Sequence, residues 1–482
     1  MRLPHPRTTA VASCAMAAVM AATWAAAAGS GATAAAGSRA APIRTRTASA
    51  AGVVIMPGVV HARNATSSPP STQFCLQHYK IACYQPAQVQ QAYNLGPLLR
   101  RGITGKGQTI VVVDSFGSPT VRKDLAIFDA RFRLSAPPSL QIIHPAGKIP
   151  PYTPTSTRTG WAGETELDVE YAHVMAPGAR ILLVVTPTSE NEGTTGFPQI
   201  ARAEKYVIDR HLGGVISQSF SATEQTFPSP TALRNLRGAY KDAAGKGVTV
   251  LAASGDSGAA DVKFNQVTYY LKPVTSWPDS DPLVTGVGGT QLHFTPKGTP
   301  APPTVWNDTY SVPTNQFIIG DNGPNPLSGG GGKSVIFSRP KFQNGVAAIV
   351  GSRRGVPDIS MSAACNGAVD MYQSFRGQPA GWYPTCGTSE ATPLFAGVVA
   401  LADQVAGHPL GRINPALYTM SAQHAAGIID VRSGSNKVTF RQGGKQYTIH
   451  GFNALNGYDL ASGVGTVNAA AFVPELARIA GK

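Results

Sequence analysis

Apolar positions along this chain follow two rhythms. Four runs are apolar at almost every position and rich in β-branched residues: GQTIVVVDSF (107–116), ARILLVVTP (179–187), GGVISQSFS (213–221) and GVTVLAASGDSG (247–258). Continuous runs of this length, bounded by glycine or proline, predict strands buried on both faces. Between and around them, ETELDVEYAHVM (164–175) and TALRNLRGAYKDAAGKG (231–247) read as helices, and PAQVQQAY (86–93) as a short one. Strands alternating with helices predict an α/β fold, a parallel β-sheet with helices on both faces. Ligands in such folds gather at the carboxyl ends of the strands. Asp114 and Asp256 stand at two of those ends.

The first residues carry a different pattern. MRLPHPRTT holds two arginines, an apolar stretch follows, and small residues then offer cleavage sites. Residues 1–28 therefore read as a secretory signal peptide, with a retained anchor as the alternative. Residues 29–73, rich in Ala, Ser, Thr and Pro without periodicity, read as a linker or residual pro-segment. Residues 74–482 are expected to form a single domain. Cys14 belongs to the signal, leaving Cys75, Cys83, Cys365 and Cys386. Of the three possible pairings the local one, Cys75 with Cys83 and Cys365 with Cys386, is the simplest, and disulfides suit an exported protein.

Composition narrows the function. The net charge is +14, yet no run of five like charges and no aromatic-interleaved basic tract occurs, which argues against nucleic-acid binding. With few carboxylates, acidification adds little charge repulsion. No later segment is apolar for long enough to span a bilayer, so a soluble monomer is expected once the signal is removed.

Three places could carry chemistry. In CGTSEATPLFAGVVAL (386–401), Ser389 stands at the mouth of an apolar helix, where it is either an N-cap or a nucleophile. Glu164 and Asp168 lie four residues apart on the predicted helix 164–175, so both project from one face and could share a proton. Glu166 and Glu170 have the same spacing, and spacing does not choose between the pairs. Asp256, between glycines in SGDSG, is either an Asx turn or a protonated carboxyl that donates to an oxyanion. No histidine lies in a setting that would present it to a serine.

Together these motifs resemble the sedolisin family, the serine-carboxyl peptidases of subtilisin-like fold. GETELDVE, SGDSGAAD and GTSEATP occur in the family's order from about residue 75 onward, and TVWNDTY, SGGGGKS and RGVPDIS are similar to further landmarks. The resemblance implies Ser389 as nucleophile, Glu164 as base, Asp168 as its partner and Asp256 as oxyanion donor, acting on polypeptides at acidic pH. It also implies one structural Ca²⁺ held by Asp430, Val431, Leu455, Gly457 and Asp459, two carboxylates and three backbone oxygens suited to a hard ion. Phe220 stands where the family often has tryptophan, Asp114 where glutamate is common, and Leu455 where glycine is common. The family's large folded prodomain is not expected here, since only the stretch up to about residue 70 is available for it. The alternatives are a subtilisin relative using Asp114 and a histidine, and an inactive secreted binding protein on a protease scaffold.

Overall fold

The computed structural model describes residues 60–312 and 324–481. The expected signal peptide and most of the expected linker lie outside these residues. The linker's last part is described: Val60 and His61 pair with Cys386 and Thr385, so the folded region takes in residues 60–73 as well.

The continuous apolar runs become the centre of an eight-stranded sheet. Numbered along the chain within that sheet, its strands are β1 (Thr109–Ser115), β2 (Leu140–Ile143), β3 (Arg180–Thr186), β4 (Val215–Gln218), β5 (Thr249–Ala253), β6 (Thr285–Phe294), β7 (Pro300–Val305) and β8 (Ile359–Ser362). Their spatial order is β7-β6-β5-β4-β1-β3-β2, with β8 also paired to β6. All pairings are parallel except β6 with β7.

Each central strand feeds two cores. On β1, Ile110 and Val112 point into one and Val111 and Val113 into the other; on β3, Ile181, Leu183 and Val185 oppose Leu182 and Val184. That is why these strands have no polar face. The second core is closed by helices Phe197–Asp209 and Gly238–Lys246. The first is closed chiefly by α1 (Ser156–Met175) and α2 (Thr388–Ala406).

α1 begins well before the predicted helix 164–175. Thr155 caps it by accepting a hydrogen bond from the Arg158 N–H. The predicted helix 231–247 is two helices, Pro230–Asn235 and Gly238–Lys246. Between them Arg237, itself partly exposed, pairs with the buried Asp281. Both local disulfides, Cys75–Cys83 and Cys365–Cys386, are formed. The second ties the loop after β8 to the strand that leads into α2.

α1 and α2 touch almost backbone to backbone. A Cβ added at Gly397 would lie 2.4 Å from Met175 Cβ and 3.3 Å from the Ala172 carbonyl. Neither neighbour is a flexible side-chain tip, so a methyl group there has to push the helices apart. Gly397→Ala should therefore destabilise the fold by about 1–3 kcal/mol despite alanine's better helix propensity. The check is the midpoint of denaturant unfolding; an unchanged or higher midpoint would contradict this approach of the helices.

Candidate active site

The two acid pairs of α1 face different surroundings. Asp168 accepts a hydrogen bond from Ser219 Oγ at 2.8 Å, and the same hydroxyl lies 3.3 Å from the Ser389 carbonyl oxygen. Glu164, one turn earlier, is fully buried, and the Ser389 and Ser219 hydroxyls stand near its carboxyl without making a close hydrogen bond. Glu166 turns away to the Ser118 and Thr120 hydroxyls, and Glu170 accepts from the Tyr372 N–H at 3.2 Å. Only the Glu164/Asp168 face meets Ser389.

A third carboxyl completes this group. Asp114, at the carboxyl end of β1, is fully buried and neither oxygen accepts a hydrogen bond. Loss of water raises Asp114 to about 7, and the Thr165 hydroxyl pulls it partly back. Burial likewise holds Glu164 well above the usual carboxylate range; the Ser389 hydroxyl opposes this, and the Asp114 and Asp256 charges add to it. Asp168 is raised by burial first and then by Asp114 and Glu164. Every charge acting on the three is negative, so the group holds protons that isolated carboxylates would release.

Ser389 is the second residue of α2 and only 8% exposed. The cap is Gly387, which has no side chain to satisfy the helix N–H groups. Ser389 is thus not the N-cap, and its hydroxyl is left for the cleft. Asp256 takes over the helix start: its Oδ1 accepts from the Thr388 N–H and the Thr388 hydroxyl, both at 2.7 Å. Gly387 has φ +133°, and a Cβ on it would come within 2.8 Å of Asp256 Oδ2. Glycine is what lets the carboxyl reach the helix mouth. Burial raises Asp256, Thr388 lowers it and Asp261 raises it further. The glycine run behind SGGGGKS presses on the same loop. Gly330 donates to the Gly255 carbonyl at 2.7 Å, and a Cβ at residue 330 would collide with the Ser254 oxygen.

Two features of this region escaped the sequence reading. Glu390, next to Ser389, is fully buried with no hydrogen bond to either oxygen, near Ser362 and Tyr93. Its only sequence signal is an acid in the first turn of a helix, which is commonplace. Asp261, five residues after Asp256, is the other. As for a histidine base, His173 is bound to the Ser135 carbonyl at 2.8 Å and lies 3.3 Å from Asp129. Asp114 accepts nothing from any histidine. Phe220, just beyond β4, packs beside Trp161 of α1.

The expected metal ligands surround one loop. Asp430 accepts the Gly457 N–H at 3.2 Å on each oxygen and pairs with Arg432. Asp459 accepts from the N–H groups of Leu455, Ala461 and Ser462. Among the described residues the carbonyls of Val431, Leu455 and Gly457 accept no backbone hydrogen bond outside regular strands and helices. Two carboxylates bracketing a loop with unclaimed carbonyls form an all-oxygen donor set that fits a calcium ion.

Comparison with known proteins places this arrangement in a family. The Subtilase family pattern matches residues 159–444. Kumamolisin from Bacillus sp. (strain MN-32) is 30% identical over 80% of this chain and 62% of its own length. Sedolisin from Pseudomonas sp. (strain 101) is 29% identical over 64% of this chain and 48% of its own. The chain spans about half the length of the curated relatives it matches. In structure it resembles Pseudomonas sedolisin, a serine-carboxyl proteinase solved with two molecules of pseudo-iodotyrostatin: the TM-score is 0.67 at 26% identity, covering 82% of this chain and 97% of that one. A subtilase sheet whose serine meets a helix-borne Glu/Asp pair instead of a histidine makes this chain a member of the sedolisin family, on the subtilisin-like fold.

Proposed function

We propose that this chain is a secreted serine-carboxyl endopeptidase that hydrolyses polypeptides at acidic pH. The observation that carries this reading is the meeting of the Ser389 hydroxyl with Glu164, backed by Asp168 and faced by Asp256. Glu164 accepts the Ser389 proton as Oγ attacks the scissile carbonyl. Asp168 and Asp114 spread the charge through their shared protons. Protonated Asp256 donates to the oxyanion; collapse expels the amine, which takes the proton from Glu164, and water then cleaves the acyl-enzyme. Glu164 serves as base in the state in which its group with Asp168 and Asp114 is one proton short, a state that the Ser389 hydroxyl favours by opposing the rise of Glu164. The two disulfides are in keeping with an oxidising compartment.

The rate requires a carboxyl cluster that can accept a proton and an Asp256 that can still donate one. A bell-shaped profile with an acidic maximum follows. Ser389→Ala and Glu164→Gln should each lower kcat by about a hundredfold or more on denatured protein near pH 4. Wild-type-like turnover in either variant, or a maximum above pH 8, would remove the assignment.

Acid also favours the fold itself. Most of the chain's 26 acidic residues are buried, whereas among its 40 lysines and arginines only Arg158 and Arg354 are, among the described residues. Burial raises Asp114 and Asp403 to about 7 and Glu204 to about 8. A carboxyl raised in the folded state binds its proton more tightly there than in the unfolded chain. Its contribution is full below the unfolded pKa and is lost as pH climbs through the folded one. His173, lowered from 6.5 to about 4, acts the other way between those two values and offsets part of the gain. Calorimetric melting should therefore fall by roughly 5 °C or more between pH 5 and pH 8. A melting temperature that is flat or rises over that window would overturn this account.

Calcium is expected at the 430–459 loop, where Asp430 and Asp459 with the carbonyls of Val431, Leu455 and Gly457 would hold it. The ion would supply a cross-link between two loops and no part of the reaction. At about a hundred times its Kd, calcium should add about 2.7 kcal/mol to stability. Asp459→Asn should abolish the corresponding thermal shift. A shift that persists in that variant would place the ion elsewhere.

A further inference from the structure

The acid of α1 that turns away from Ser389, Glu166, meets the loop that leaves Asp114. After β1 the chain runs through Phe116 and Gly117, with φ of +65° and +68°, before it enters the helix Val121–Phe132. A bulky residue in the left-handed region is strained, so a turn built on Phe116 has to be held by contacts beyond it. One tie is the Arg158 guanidinium, 4.0 Å from the centroid of the Phe116 ring. The others converge on Glu166 and Asp124.

These contacts form one closed network. Ser118 Oγ donates to Glu166 Oε1. Thr120 Oγ1 donates to Asp124 Oδ2 at 2.6 Å and lies 3.4 Å from the same Glu166 oxygen. The Thr120 N–H donates to Ser118 Oγ at 3.2 Å. Asp124 is also held from the far side, by the Ser374 N–H at 2.7 Å and the Ser374 hydroxyl at 2.5 Å. Three donors thus serve Asp124, whereas the fully buried Glu166 has hydroxyls at Oε1 only and nothing at Oε2. The Asp124 carboxyl is the acceptor within its reach. A proton on Glu166 completes the network, because two bare carboxylates side by side would repel where the loop needs a clamp. One residue earlier on α1, the Thr165 hydroxyl stands by Asp114, so the loop is tied to α1 at both ends.

We propose that Glu166 is a positioning residue: the proton it shares with Asp124 clamps the 116–120 loop to α1 and so fixes Asp114 beside Glu164 and Asp168, and loss of that proton releases the loop. Glu166 touches no reacting atom and acts through the loop. The consequence for catalysis rests on the peptidase reading above, whereas the clamp stands on the network alone.

The pH dependence has a definite sign. The groups facing the clamp are Glu170 on α1, Asp129 on the helix Val121–Phe132 and Tyr372 on the strand Ala368–Gln373. From outside comes Lys123, whose Nζ is 3.3 Å from Ser374 Oγ, and His173, 3.3 Å from Asp129, ends the seam. Burial raises Glu166 first and Asp124 adds to it, while the Ser118 and Thr120 hydroxyls oppose the rise. A group raised in the folded state gives its full stabilisation below the unfolded pKa and loses it as pH climbs through the folded one. The loop is therefore held in acid and released as the medium turns alkaline.

The test follows amide hydrogen exchange of segment 116–124 in the full chain, with Ser389→Ala introduced to prevent self-digestion and the intrinsic exchange rate divided out. Opening should rise about tenfold or more from pH 4 to pH 8 in this parent protein. In Glu166→Gln the amide still donates to Asp124 and accepts from Ser118 but does not titrate, so opening should stay flat. Glu170→Gln, outside the clamp, should keep the parent's slope. With Ser389 restored, Glu166→Ala should lose about tenfold in kcat near pH 4 with KM little changed, and Glu166→Gln should recover most of it. Ser118→Ala cuts the same tie from the loop side and should open the segment at every pH, a check that holds even if Glu166→Ala does not fold. Opening that ignores pH in the parent, or climbs as steeply in Glu166→Gln, overturns the clamp. Undiminished kcat in Glu166→Ala overturns the positioning role. A chain that cleaves no protein at all overturns the peptidase reading and leaves hydrogen exchange to decide the clamp.

Discussion

Everything at this site depends on the removal of water from carboxyl groups along one helix seam. α1 carries Glu164 and Asp168 on the face where it meets α2, and the glycine at 397 lets the two helices close until no solvent remains between them. Had the helices stood a side chain further apart, water would enter and the acids would ionise as ordinary surface groups. Their proton affinity is a product of packing, to which the missing methyl group at 397 contributes where α2 meets Ala172 and Met175. The large hydrophobic core on that side of the sheet supplies the driving force that keeps the acids dry.

The other half of the site is built by backbone, not by burial. The Asp256 carboxyl has to reach the first turn of α2, and three successive glycine requirements make room for it: Gly387 beneath the carboxyl, Gly330 against the Ser254 carbonyl, and Gly255 at the turn itself. A helix that begins on glycine lacks the side-chain cap most helices have. Thr388 and Asp256 substitute for it through paired hydrogen bonds. The helix start and the carboxyl proposed as oxyanion donor are therefore a single structure, and neither can be altered without the other.

Much of this was legible in residue order, for definite reasons. Strands buried on both faces lose alternation, so β1, β3, β4 and β5 declared themselves as continuous runs. The Gly443–Gly444 pair, a common hairpin-turn sequence, closes the hairpin Val438–Ile449, with both glycines at positive φ. What stayed hidden was set by distant partners. The only local signal for the break after Arg237 is Gly238, a single weak helix former, and the ion pair that Arg237 makes there comes from another segment, at Asp281. Nothing local separates Glu164 from Glu166; the choice is made by whichever surface each meets, α2 and Ser219 for one, Ser118 and Thr120 for the other. Glu390, Glu190 and Asp261 look like ordinary polar residues until remote segments enclose them.

The distribution of charge then gains a physical meaning that the net value of +14 conceals. A basic isoelectric point usually describes a surface with a modest excess of cations. Here the cations are almost all outside and the acids mostly inside, where burial raises the proton affinity of many of them. In acid the exterior charge scarcely changes, because most carboxylates that would titrate are already enclosed. At neutral pH those among them that lack partners, such as Asp114 and Glu390, are driven to ionise unpaired, which strains the fold from within. The chemistry proposed at Ser389 and the cohesion of the fold would thus draw on one proton reservoir, and both would favour the same side of neutrality.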